Sequence, residues 1–135
     1  MTISLDQANA VIAAARAVAV ERDERVVLVV VDTARNPVAL ARTDGAAPNG
    51  LEVAQRRACT AVAMGFDTIH TAYSEAGRPR TGDEPLSTDG HGLVRTGGGV
   101  VIRAGGAVIG ALGVCGATSS IIDHQIGTAG VAALG

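Results

Sequence analysis

Residues 97–116 read GGGVVIRAGGAVIGALGVCG. Two runs of β-branched and small residues, VVIRA and AVIGALGV, flank the pair Gly105-Gly106. Such a pair supplies the positive φ of a two-residue hairpin turn, so this stretch specifies two antiparallel strands. The remaining glycines, Gly97–Gly99, Gly110, Gly113 and Gly116, are too many to be turns. A glycine inside a strand marks a bulge or the close approach of another backbone or a ligand. Gly110 and Gly113 have opposite parity, which gives both faces of the sheet a thin spot.

A second hairpin precedes this one. VVLVVV at 26–31 is continuously apolar and fits a strand covered on both faces. After the turn-prone DTARNP, VALAR at 38–42 returns, with Pro37 at a strand start where its missing N–H matters least. Three helices complete the pattern. Residues 4–20 carry a Ser4/Gln7 capping box and a stripe of Leu5, Ala8, Ile12, Ala15 and Ala19. The second runs from a start at Asn49/Glu52 to Gly65, with Leu51, Ala54, Ala58, Ala61 and Val62 on one face. The third starts near Ser119 or Ser120, with Asp123 in capping-box position after Ser120. The expected architecture is α+β: an antiparallel sheet of two hairpins packed with three main helices, in the order α-ββ-α-loop-ββ-α.

One domain over residues 1–135 is the expectation from length. The interior is unusual, with one Phe, one Tyr and no Trp in a chain that is 47% hydrophobic. Small side chains remove little area each, at roughly 25 cal/mol per Å², so such a chain gains by burying more surface against copies of itself. A homo-oligomer follows. A formal charge of −2 without a basic stripe argues against nucleic acid. The apolar runs are strand-sized, far below the roughly 20 residues of a membrane span. The N-terminal MTISLDQA carries no secretory pattern, and Cys59 and Cys115 share no metal-ligand spacing. The cytoplasm, with two reduced thiols, is the expected location.

Residues 67–97 form a long loop, with one short helix around 68–76, and hold two of the four prolines. Loops of this length in compact domains are commonly functional, so this one is expected to border a pocket. His91 stands between glycines in Asp89-Gly90-His91-Gly92 and suits a haem iron ligand or a general base; a solvent-exposed loop histidine is the bland alternative. His70 is a weaker candidate of the same kind, and His124 on the last helix reads as a surface or interface residue. Arg42, Asp44 and Arg57 form a second constellation. The two arginines suit a bidentate clamp on a carboxylate, and equally Asp44 could tie Arg57 and fix the loop. Cys115 lies between a strand and a helix start, where the helix dipole would favour a thiolate nucleophile; a buried small residue is the commoner outcome. Gly97-Gly98-Gly99 precedes a strand and is no phosphate loop.

These segments together resemble the GlcG/HbpS-like haem-binding family, which includes the C-terminal domain of PduO proteins. The matching pieces are Ala41-Arg42-Thr43-Asp44-Gly45-Ala46, Ala54-Gln55-Arg56-Arg57-Ala58-Cys59-Thr60-Ala61, Gly98-Gly99-Val100-Val101-Ile102 and Gly110-Ala111-Leu112-Gly113-Val114-Cys115-Gly116, closed by Asp123 and Ala129-Gly130. Arg57 stands where the family usually has Lys, and Cys115 where it commonly has Ser. The resemblance implies an oligomeric small-ligand-binding protein, with haem or a related tetrapyrrole as cofactor or ligand. Arg42, Arg57, His70, His91, Gly98 and Gly99 would then line the site. The alternative is a cofactor-free isomerase, lyase or hydrolase acting on a small carboxylated metabolite at a subunit interface, with His91, Asp44 and Cys115 moving protons.

Overall fold

The computed structural model describes residues 1–73 and 94–135. Ser4 starts the first helix: its Oγ accepts from Gln7 N at 3.1 Å, and Gln7 Oε1 accepts from Ser4 N at 2.9 Å. Helix α1 (Leu5–Glu21) follows, burying Ala8, Val11, Ile12, Ala15 and Ala19. Leu5, placed on that stripe by periodicity, is exposed in the first turn. Strand β1 (Val27–Asp32) is buried on both faces until Asp32, as its unbroken valine run requires. Asp32 Oδ1 then accepts from Ala34 N and Asn36 N, each at 2.9 Å, and turns the chain into β2 (Pro37–Arg42).

Helix α2 (Gly50–Met64) starts without the expected capping box. Asn49 is itself helical and makes no side-chain cap, while Glu52 pairs with Arg56 at 3.0 Å one turn on. Gly65, at φ +77°, ends the helix as expected. A 3-10 turn occupies Thr68–Tyr73, and the rest of the helix expected to 76 lies outside the described residues. Strands β3 (Gly99–Ala104) and β4 (Ala107–Cys115) form the Gly105-Gly106 hairpin. Helix α3 (Ser120–Val131) is capped by Ser119, whose Oγ accepts from Ile122 N at 3.2 Å, and a short 3-10 turn, Ala132–Leu134, follows it.

All four strands are antiparallel in the order β2-β1-β4-β3. Helices α1 and α3 pack together on one face, where Leu28, Val30, Leu112 and Val114 meet Val11, Ala15 and Ile126. Helix α2 covers the other face over Val27, Val29, Val31 and Ala111. Gly113 and Gly110 mark the two thin spots. A side chain at Gly113 would collide with the Ala54 carbonyl, so α2 lies directly on the β4 backbone, while one at Gly110 would meet the Val31 carbonyl and, less tightly, Ile3. Among the described residues, no helix is long and apolar enough to cross a membrane.

Candidate functional site

Two places collect the candidate residues, and they are separate. The first centres on Arg57, on the sheet-facing side of α2 and 7% exposed. Its Nη1 donates to Val114 O at 2.7 Å and to Asp123 Oδ2 at 2.8 Å, and its Nη2 donates to Thr96 Oγ1 at 2.9 Å. Asp123 Oδ1 accepts from Ala117 N at 2.9 Å. One guanidinium therefore joins α2, the end of β4, the first turn of α3 and the chain entering β3. Burial pushes the Asp123 carboxyl above the ordinary carboxylate range, although the Ala117 amide and Arg57 both act to lower it.

This arrangement revises several expectations. The carboxylate that Arg57 holds is the chain's own Asp123, not a ligand's, and Asp44 takes no part. Asp44 is exposed on the loop after β2. The space beside Gly98 is filled from within: a side chain there would meet Arg57 Cδ at 2.8 Å and Nη1 at 2.9 Å. The Arg57 carbonyl and Thr68 share the space beside Gly99, Thr68 Cγ2 lying 2.6 Å from where a side chain would begin. Thr68 Oγ1 also donates to Thr96 O at 2.7 Å and accepts from Gly99 N at 2.9 Å, stitching the 3-10 turn to the chain entering β3. The close approach predicted from these glycines is real, and its partner is the protein itself.

Cys115 is half-buried at the end of β4, and burial raises its thiol above the ordinary 9.0, against the lowering influence of Arg57. Burial thus favours the thiol over the thiolate expected from the helix position. Helix α3 begins too far along the chain, and the Ile122 amide of its first turn is already taken by Ser119 Oγ. His70 is exposed on the 3-10 turn. His124 is half-buried, with Nδ1 lacking a hydrogen-bond partner among the described residues and Nε2 3.4 Å from Thr128 Oγ1. His91 lies outside the described residues.

The second place is the open side of the edge strand β2. Register pairs Leu40 with Val29 and Arg42 with Val27, which puts both side chains on the α2 face of the sheet. Helix α2 packs on β1, β4 and β3, so among the described residues no helix covers β2 there. Leu40 is 53% exposed and Leu51, in the first turn of α2, is 39% exposed. With Val27, Pro48 and Arg42 they line a hollow of about 150 Å³ whose floor is apolar and whose rim carries a guanidinium. Across the sheet Val27 pairs with Cys115, so Arg42, Val27 and Cys115 form one row. Sequence reading found Arg42 but missed Leu40 and Leu51. The signal was the alternation in VALAR, which sets Leu40 and Arg42 on one face. Among the described residues, no three His, Cys, Asp or Glu side chains group to hold a metal ion.

The family model described as haem degrading protein HbpS-like matches residues 3–132. The chain belongs to the HbpS-like family. Solved structures agree with this membership. Crystalline HbpS is 33% identical over all of this chain and 92% of its own, with a TM-score of 0.88. A double mutant of Streptomyces reticuli HbpS is 32% identical over all of this chain and 88% of its own, with a TM-score of 0.87. A PduOC:heme complex is 26% identical over 98% of this chain and 95% of its own, with a TM-score of 0.82. No curated protein sequence matches this HbpS-like chain significantly.

Proposed function

We propose that this HbpS-like chain is a cytosolic homo-oligomeric protein that binds haem or a related tetrapyrrole on the face of β2 that carries Leu40 and Arg42. The observation that carries the reading is the hollow beside Leu40. A tetrapyrrole presents a broad apolar face and a carboxylate edge. Leu40, Val27, Pro48 and Leu51 offer an apolar surface, and Arg42 offers the fork of donors that a propionate takes. The residues present therefore fit the group at its face and edge. A solved relative whose complex contains heme and the family's haem-related description support the same ligand.

At about 150 Å³ the hollow is smaller than the roughly 300–1,000 Å³ of pockets that enclose ligands of drug size. A second copy laid against β2 would supply the other wall, which is why the reading includes self-association. His91 is the iron ligand in this proposal, with His70 as its nearest substitute in sequence. Bound haem would supply a redox-active iron. The chain's own work is to orient the macrocycle by Arg42 and to exclude water with Leu40 and Leu51. Haemin titration followed by the Soret band tests this. Wild type should show a saturable shifted band, and Leu40→Glu should lose it while keeping the wild-type circular dichroism. An unchanged titration in Leu40→Glu would overturn the site.

A further inference from the structure

Next to the haem hollow lies a larger and different cavity of about 260 Å³, between the C-terminal end of α1 and the turn after β2. Arg16, Asp23, Arg25, Arg42 and Asp44 project on it, and it shares only Arg42 with the hollow beside Leu40. None of these five side chains makes an ion pair or hydrogen bond among the described residues. Glu24, also at the wall, has its carboxylate engaged: its Oε2 accepts from Thr118 N and its Oε1 from Thr118 Oγ1, each at 2.9 Å. Three unpaired cations and two unpaired carboxylates thus share one concavity without satisfying one another.

The walls are fixed in place. Thr43 is bound to Val26 three times, by Thr43 N to Val26 O at 2.9 Å, Val26 N to Thr43 Oγ1 at 2.8 Å, and Thr43 Oγ1 to Val26 O at 3.1 Å. Arg25 lies across Gly45, its Cδ 3.0 Å from where a side chain at Gly45 would begin, so the absence of a side chain there lets the guanidinium rest on the turn. Asp23 holds φ 55°, a left-handed conformation, and also lines the cavity.

The geometry points to a binding site for a free amino acid with an acidic side chain. A ligand of that class carries two carboxylates and one ammonium. The carboxylates would meet the guanidiniums in charge-assisted, bidentate contacts, and the ammonium would meet Asp23 or Asp44. With the Glu24 carboxylate on Thr118 the whole lining is neutral, so the ligand is selected by its pattern of two carboxylates and one ammonium and not by net charge. A plain dicarboxylate would leave both aspartates facing anions. A diamine would face three arginines. The site shares Arg42 with the hollow beside Leu40 and is otherwise built from different residues.

Calorimetric titration of the full chain with L-glutamate, glutarate, N-acetyl-L-glutamate and L-glutamine tests the assignment. L-Glutamate should give saturable heat, with glutarate and the N-acetyl form at least tenfold weaker because the ammonium is missing or blocked, and L-glutamine weaker because one carboxylate is lost. Arg25→Ala should weaken L-glutamate binding at least tenfold, and Arg25→Lys should restore part of it, with circular dichroism unchanged in both. Neither variant should alter the haemin titration, which separates this site from the hollow beside Leu40. Equal binding of glutarate or of L-glutamine, no saturable heat with L-glutamate, or wild-type affinity in Arg25→Ala would each overturn the assignment.

Discussion

Arg57 Nη1 lies 2.8 Å from Asp123 Oδ2, with both side chains more than nine-tenths buried. An ion pair so enclosed contributes little over an apolar pair, yet removing one partner strands the other charge. Asp123→Ala should therefore lower the unfolding free energy by about 3–5 kcal/mol. The double variant Arg57→Met, Asp123→Leu should recover a large part of that loss. Urea denaturation of the three proteins checks this, and additive losses in the double variant would show that the pair is not coupled.

The contact between β4 and α2 gives a sharper test of packing. A methyl group at Gly113 meets the Ala54 carbonyl, whereas one at Gly105 meets open space and only the strain of φ +58°. Gly113→Ala should cost at least about 3 kcal/mol, near the upper end of overpacking effects, because a helix backbone has to move. Gly105→Ala should cost about 1–2 kcal/mol. Comparable losses at both positions would mean that α2 does not rest on the β4 backbone.

Much of this fold was legible because the informative residues act locally. Ser4 with Gln7, the valine run of β1 and Gly105-Gly106 each specify their element through neighbours in sequence. Glycine parity at 110 and 113 went further, forecasting that both sheet faces would be approached closely. The site was less legible. Arg57 was visible as a functional type, but its partner Asp123 is 66 residues away and reads as an ordinary first-turn acid. Asn49 with Glu52 matched a capping pattern that the helix did not use, since Glu52 had Arg56 within one turn. Exposure of Leu40 depends on which strands α2 covers, a fact of strand order that no local pattern encodes.

The thiol of Cys115 should behave as a buried group. Its folded value is raised above 9.0, so its protonated form is favoured in the folded protein and its stabilising contribution is complete below pH 9.0. That contribution is lost as pH rises through the raised folded value. In a Cys59→Ala background, iodoacetamide alkylation of the native protein should be slow at neutral pH and rise with an inflection above 9.0. An inflection below that value would restore the thiolate reading.

Self-association should use the face of β2 that carries Leu40 and Arg42. Light scattering of wild type at micromolar concentration should report a mass above that of the 13.5 kDa chain. Leu40→Glu should shift the mass towards the monomer, because a charge on this face would be desolvated by a second copy. A monomeric wild type would remove the second wall from the proposed tetrapyrrole site.

The most direct measurement is the haemin dissociation constant of wild type against Arg42→Ala, read from the Soret band at fixed ionic strength. Loss of a charged hydrogen bond worth about 1.5–3 kcal/mol corresponds to roughly 10- to 100-fold weaker binding. The account predicts saturable binding by wild type and a loss of that size in Arg42→Ala, with the secondary structure of both proteins unchanged. No saturable binding by wild type, or the same constant in both proteins, would contradict it.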